Sequence, residues 1–200
     1  MRFQVTVRSY PRFGKQMQRS GRTVNWTAAT LQRMDNRISV RVATVDDADA
    51  ISKLAAEFHA YLHKLGDLST FNFNAEAYVR DGFGEKPAFV ALVAESDKDI
   101  IGYLILEFGY DTDQSRRLAF VDDLYVSESC RGQGVGKALM TRAADTARGH
   151  GAEALWWGVH DRNDSAFRFY EGLGARYVKG IRFMSIDVDD LSSKTQNGLD

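Results

Sequence analysis

Apolar and polar residues alternate at Ile38-Ser39-Val40-Arg41-Val42, which is the period of a strand with one face buried. Thr44 then stands as a cap candidate for a helix running from about 46 to 65. Phe71, Phe73, Ala77 and Tyr78 suggest a short second helix that ends at Asp81-Gly82. Strand patterns follow. The runs 88–94 and 100–108 are rich in β-forming residues, and the polar turn 95–99 between them has the length that joins antiparallel neighbours. A looser stretch, 109–117, leads to a fourth strand, Ala119-Phe120-Val121-Asp122-Asp123-Leu124-Tyr125-Val126, interrupted by two acids. From 137 to 148 the apolar positions 139, 140, 143 and 147 fall on one helical face, and Gly149-His150-Gly151 stops that helix. A fifth strand over 154–159, a short aromatic-faced helix over 165–172 and two strand-like runs within 175–188 complete the order β-α-α-β-β-β-α-β-α-β-β, a mixed α/β layer architecture.

Composition narrows the class. With 200 residues, 44% hydrophobic and 26% charged, the chain can bury a full core and needs only one domain, expected over 37–190 with a polar tail at 191–200. Its one cysteine, Cys130, excludes an internal disulfide framework and makes a cysteine-rich metal site improbable; together with the lack of an apolar signal, this is the pattern of a soluble cytoplasmic protein. No apolar run has the roughly 18 to 20 residues that a membrane span requires, so no membrane partner is expected.

The net charge of -1 hides an asymmetry. Residues 1–34 carry Arg2, Arg8, Arg12, Lys15, Arg19, Arg22 and Arg33 and no acid, which suits an organellar transit peptide, a nucleic-acid arm, or residues upstream of a start at Met34. Residues 1–36 are therefore set apart as a basic extension, disordered or upstream of the true start. The remainder is acidic, which argues against a nucleic-acid partner because phosphate neutralisation needs a basic face.

The strongest chemical signal is Arg131-Gly132-Gln133-Gly134-Val135-Gly136, placed after a strand and opening a helix. Backbone N–H groups unshielded by side chains can converge there on an anion at the positive end of the helix. The spacing is not G-x-G-x-x-G, no Gly-Lys-Ser/Thr follows, and the strand is the fourth rather than the first, so neither a dinucleotide fingerprint nor a P-loop fits. A plain turn would need one glycine.

Arg131-x-x-Gly134-x-Gly136 after a strand, with Asn163-x-x-Ala166 and Tyr170 on the following helix, resembles the GNAT family of N-acetyltransferases over about residues 38–188. Asp81-Gly82-Phe83-Gly84-Glu85-x-Pro87, Leu92-Val93-Ala94-Glu95, Asp122-Asp123-Leu124-Tyr125-Val126 and the segment from Asn163 to Ala175 are similar to its diamine branch, which includes spermidine/spermine and thialysine acetyltransferases. The resemblance implies a GNAT-type mixed, mostly antiparallel central sheet flanked by helices, acetyl-CoA as co-substrate without a metal, and a homodimer joined through the C-terminal strands. It further implies that Leu124, Tyr125 and Val126 lie along the pantetheine arm. The loop from Arg131 through Gly132, Gln133, Gly134, Val135 and Gly136 to Lys137 takes the pyrophosphate. Asn163 and Tyr170 contact the cofactor.

Acetyl transfer to a primary amine needs one group to relieve an alkylammonium of its proton and another to quench the departing thiolate. Tyr170 suits the second role, as a phenol that is neutral at rest, against the plainer reading of a core tyrosine. Strand alternation predicts that Asp122 and Asp123 point to opposite faces and cannot share one substrate. Family position then favours Asp122 as the carboxylate that draws in the ammonium and relays its proton. Further candidates for the acceptor side are Asp123, Glu57, Tyr61 and Trp156.

His59 and His63 are spaced i, i+4 without an obvious third ligand, and Cys130 has no placed base. Leu62 and His63 follow Tyr61 where polyamine-acetylating relatives carry acids, so a small diamine or a lysine-like amine is expected rather than a polyamine. The rival readings are acetylation of a protein lysine or N-terminus, acetylation of an aminoglycoside, and a non-catalytic acyl-CoA sensor.

Overall fold

The computed structural model describes residues 38–190 apart from 179 and 182, so the basic extension and the polar tail lie outside the described residues. Two compact units are present, one extending through Asn163 and the other beginning at Asp164. In the first unit the chain runs through β1 (Ser39–Val42), a 3-10 turn (Val45–Asp47), α1 (Ala48–Lys64), α2 (Ala75–Gly82), β2 (Val90–Ser96), β3 (Asp99–Asp111), β4 (Arg116–Val126), a second 3-10 turn (Glu128–Cys130), α3 (Val135–Gly149) and β5 (Ala154–Trp157). The second unit opens with α4 (Asp164–Gly172).

The five strands form one sheet in the order β1-β2-β3-β4-β5, antiparallel except for the β4–β5 pair. A parallel pair requires a long crossover, and α3 supplies it. Between β2 and β3 the predicted hairpin tightens to two residues, Asp97 and Lys98, both with positive φ (50° and 77°). That is the backbone twist that a two-residue hairpin demands.

The β3–β4 hairpin reaches further than its pattern indicates, because Gly109, Tyr110 and Asp111 pair with Leu118, Arg117 and Arg116. Gly109 and Asp111 look like turn residues in the sequence. Asp111 instead closes the hairpin, its Oδ1 accepting the amides of Asp113 and Gln114.

Residues 103–106 of β3 are all 5% exposed or less, so the centre of the sheet is covered on both faces. On one face Ile51, Leu54 and Ala55 of α1 and Tyr78 of α2 pack with Ala91, Val93, Tyr103, Ile105 and Tyr125. Against the other lies α3, burying Val135, Leu139, Met140, Ala143 and Ala147. Each Val, Leu, Ile or Met among them contributes roughly 1.5–3 kcal/mol through the area it removes from water, and each alanine less.

Gly102 marks the closest approach. A Cβ there would stand 2.9 Å from the Tyr125 carbonyl oxygen and 3.3 Å from Cδ1 of Leu139. Gly102→Val is therefore expected to destabilise the fold by about 2–3 kcal/mol through overpacking, read as a lower urea midpoint with an unchanged slope. An unchanged midpoint would contradict this packing.

The join between β1 and α1 is polar. Arg41 donates to both Asp47 oxygens (2.7 and 2.8 Å) and twice to Glu95 (2.9 and 2.6 Å), while Asp47 also accepts the Thr44 amide at 2.7 Å. Asp47 is only 6% exposed. The Arg41 guanidinium holds its carboxyl below the usual carboxylate range.

In the C-terminal unit, the two strand runs expected within 175–188 are not strands among the described residues. Tyr177, Phe183, Met184 and Val188 are exposed. Alternation specifies which face a residue would take but supplies no ladder partner, and without a partner the pattern has nothing to pair with.

Candidate active site

The glycine loop begins at the end of β4. Gly132 and Gly134 have φ of 74° and 88°, a region that side-chain-bearing residues rarely adopt, and Gly134 is the N-cap of α3. The first bond into the helix runs from the Ala138 amide to the Gly134 carbonyl at 3.0 Å, so the amides ahead of it point out of the helix start. No acidic residue lies in the first turn of α3. An anionic pyrophosphate fits these donors. A Cβ on Gly132 would meet nothing within 4 Å, so its glycine is required by backbone conformation rather than by space.

Arg131 is held back from the loop: its Nε donates to the Val126 carbonyl at 3.0 Å, and its guanidinium lies 5.0 Å from the Tyr61 ring centroid and 5.3 Å from that of Tyr125. Tyr61 also donates its hydroxyl to Oδ1 of the buried Asn163 at 3.0 Å. These contacts tie α1 to the loop. Gln133 closes the turn through Nε2 to the Ser129 carbonyl.

Beside the loop, β4 has a half-open edge. Its pairing with β5 covers residues 118–121, opposite 154–157, and ends there, whereas on the other edge Leu124, Tyr125 and Val126 remain paired to Leu104, Tyr103 and Gly102. Among the described residues no strand therefore pairs with the backbone of 122–126 on the β5 side, where the Val126 carbonyl accepts from Arg131. The N–H and C=O groups of this edge can receive an extended chain with alternating donors and acceptors, as a pantetheine arm has.

Where that edge opens, β4 bulges. Leu124 pairs with Leu104 and Val121 with Leu106, so Asp122 and Asp123 together oppose Ile105. A two-for-one bulge breaks the alternation. Both acids consequently line one cavity of ≈ 570 Å³, which overturns the expectation that they face apart.

Phe58, Phe71, Phe73 and Phe89 form the cavity's aromatic wall, His59 and Leu62 of α1 also line it, and Glu107 and Asp81 add two further carboxylates. His59 stacks on Phe71 with centroids 4.9 Å apart. Asp81 is engaged by Arg80 at 2.6 Å, whereas among the described residues no cation pairs with Glu107, Asp122 or Asp123.

The acids differ in setting. Asp122 is exposed, while Asp123 is partly buried and accepts the Tyr103 hydroxyl at 2.7 Å. Loss of hydration pushes the Asp123 carboxyl up to about 6, with the Asp122 charge adding to the rise and the Tyr103 bond opposing it. Glu107 is raised too, by desolvation first and by Asp122 second.

Three of the remaining acceptor candidates stand elsewhere. Glu57 faces the far end of β4, where its Oε2 accepts from Tyr125 (3.4 Å) and Ser127 (3.5 Å); Tyr61 sits under Arg131; Trp156 pairs with Phe120 inside β5. None of them lines the cavity. Tyr170 lies on α4 in the C-terminal unit, its ring 5.0 Å from Phe169. Tyr103, Glu107 and the aromatic wall carry no sequence signal for a site, since each reads as ordinary strand or core.

Relatives agree with the geometry. The family described as "Acetyltransferase (GNAT) family" matches residues 50–175. The chain is 33% identical over 147 residues to thialysine N-epsilon-acetyltransferase of Bos taurus, covering 70% of this chain and 84% of that one. It is 27% identical over 143 residues to spermidine/spermine N(1)-acetyltransferase-like protein 1 of Homo sapiens, covering 68% of this chain and 20% of that one. Among solved structures, a tetramutant of the BH1408 protein from Bacillus halodurans superposes with a TM-score of 0.63 at 27% identity, covering 74% of this chain and 99% of that one. The free edge of β4, the glycine loop after it and these matches converge: the chain is an acetyl-transferring enzyme that belongs to the GNAT family, within its diamine acetyltransferase branch.

Proposed function

We propose that this enzyme transfers the acetyl group of acetyl-CoA to the primary amine of a small diamine or a lysine-like amino acid bound in the ≈ 570 Å³ cavity. The observation that carries this reading is the set of carboxylates without a cation partner among the described residues, Asp122 and Asp123 brought together by the bulge and Glu107 from β3, beside an aromatic wall. Such a site attracts an alkylammonium and holds its methylene chain. A cavity of this size suits a small ligand.

Acetyl-CoA is the family's usual donor. The backbone of Leu124 and Val126 takes the pantetheine arm along the free edge, with Tyr125 between them. The amides of Gln133, Gly134, Gly136 and Lys137 take the pyrophosphate, and Asn163 hydrogen-bonds nearby. Asp122, exposed at the cavity, draws the ammonium in. The neutral amine attacks the thioester carbonyl directly, and a β4 backbone N–H at the bulge stabilises the oxyanion. Tyr170 donates to the departing thiolate, a role resting on its chemistry and its place in the family motif.

Leu62 lines the cavity where polyamine-acetylating relatives carry an acid, which favours a short amine over spermidine. The enzyme acts as a homodimer in the cytoplasm, with the exposed apolar residues of 175–188 as its contact. Among the described residues no helix is long and apolar enough to cross a membrane.

Thiol release should be followed with thialysine, lysine, ornithine, a short diamine, spermidine, an aminoglycoside and a lysine peptide. Turnover should be highest with the small lysine-like amines. Tyr170→Phe should lower kcat by on the order of 10²-fold while sparing acetyl-CoA binding. Turnover of the peptide alone, or of no amine at all, would sink the reading.

A further inference from the structure

We propose that Asp123, held by the Tyr103 hydroxyl, takes the proton from the acceptor ammonium, and that Tyr103 is the positioning residue that sets the pH at which it can do so. This rests on the amine-acetylation reading but goes beyond it, because strand alternation allows only one of the two acids to face the substrate and family position gives the task to Asp122.

Three features of the fold support the pair. First, the bulge turns both acids into the cavity, so Asp123 reaches the acceptor from the same strand as Asp122. Second, Tyr103 is fully buried on β3, and its hydroxyl donates to one Asp123 oxygen at 2.7 Å. A phenol fixed in the core gives that carboxylate one orientation. The second oxygen accepts from no described side chain, and no buried side-chain polar atom among the described residues lacks a partner, so that oxygen keeps contact with solvent in a residue that lines the cavity.

Third, the surroundings suit Asp123 to act as a base. A base works best when its proton affinity is near the operating pH, and the Asp123 carboxyl stands at about 6. The titratable groups around the pair are Glu107 on β3, Asp122 and Tyr125 on β4, His59 on α1, and Asp81 on α2, the last engaged by Arg80. Desolvation and Asp122 raise Asp123, while the Tyr103 bond, which favours its charged form, pulls it down.

The step balances simply. One N–H bond of the ammonium breaks and an O–H bond forms on Asp123, leaving a neutral amine. Its lone pair forms the C–N bond as the C–S bond breaks. The second nitrogen proton goes to the thiolate, and the Asp123 proton returns to water.

The test is kcat/KM against pH, with the best amine of the panel and saturating acetyl-CoA, for the wild type and for Asp123→Asn, Asp122→Asn and Tyr103→Phe. Aspartate carboxyl carbons labelled with ¹³C would be titrated in the same proteins. Asp123→Asn removes a desolvated charge and keeps an acceptor for Tyr103, so it should fold.

Wild-type activity should fall about tenfold per pH unit below an acid limb near 6. Asp123→Asn should lose on the order of 10²–10⁴-fold in kcat. Tyr103→Phe should move the limb to higher pH together with the Asp123 carbon titration. Asp122→Asn should weaken KM and move the limb to lower pH without abolishing it.

The proposal is overturned if Tyr103→Phe leaves the limb in place, or if the limb survives Asp123→Asn and vanishes in Asp122→Asn. If no panel amine is acetylated, the functional reading fails separately. The carbon titration then decides the pair, and a midpoint unmoved by Tyr103→Phe overturns it.

Discussion

Replacing Gly134 by valine should lower kcat/KM for acetyl-CoA by on the order of 10²–10³-fold while leaving the second-substrate profile of the residual activity unchanged. Gly134 has φ of 88° at the N-cap of α3. A β-branched residue there carries about 1–2 kcal/mol of backbone strain, and relieving it rotates the amides that face the pyrophosphate. Each charge-assisted hydrogen bond lost costs roughly 1.5–3 kcal/mol.

Two such bonds lost amount to about 3–4 kcal/mol at the lower end of that range, or two to three decades at roughly 1.4 kcal/mol per decade. Gly134→Asn provides the control, because asparagine tolerates the left-handed region and should stay within about tenfold of the wild type. If both variants bind acetyl-CoA as the wild type does in calorimetry, the loop is not the pyrophosphate site.

Arg41→Ala should destabilise the first unit by about 2–3 kcal/mol at neutral pH. The range sits below that of a fully buried pair because the Arg41 side chain is 38% exposed. Its loss leaves Asp47, whose side chain is 7% exposed, with only its Thr44 contacts, and Glu95 with only its Ser39 contact.

The pH dependence has a definite sign. Asp47 is depressed in the folded state, first by its hydrogen bonds to Arg41, so its contribution is present above the ordinary carboxylate pKa and is lost as the pH falls through the folded value. The gap between wild type and Arg41→Ala, measured by urea unfolding, should therefore be widest near pH 7 and close progressively below about pH 4. A gap of constant size would mean that packing of the Arg41 stem, not the ion pair, supports the join. Arg41→Lys should recover only part of the loss, since an ammonium cannot reproduce the two-pronged contact with Asp47.

How far the sequence carried the reading depended on whether a signal was local. Helical spacing at 139, 140, 143 and 147 fixed the buried face of α3, and Asp97-Lys98 supplied the tight hairpin, because both depend on neighbours in the chain. The glycine loop was legible for the same reason: its conformation, cap and helix are contiguous.

The acceptor side was not. Asp122 and Asp123 share a cavity only because β3 offers one residue, Ile105, against their two, and a single strand's pattern cannot show the count on its neighbour. Tyr103 lies 20 residues from the acid it holds, and Phe71 and Phe89 join the cavity from separate segments. The runs within 175–188 fail in the opposite way, since their alternation is clear but no described strand completes them.

The bulge also has a consequence for how this strand tolerates change in length. Elsewhere in β4, losing one residue would shift every later side chain to the wrong face and expose Tyr125 in place of its neighbour. At Asp122-Asp123 the strand already carries a spare residue, so a one-residue deletion there restores regular pairing and leaves the flanking contacts in phase. The fold could survive that loss while the shared carboxylate site could not, so at this one position the chain's architecture and its chemistry are separable.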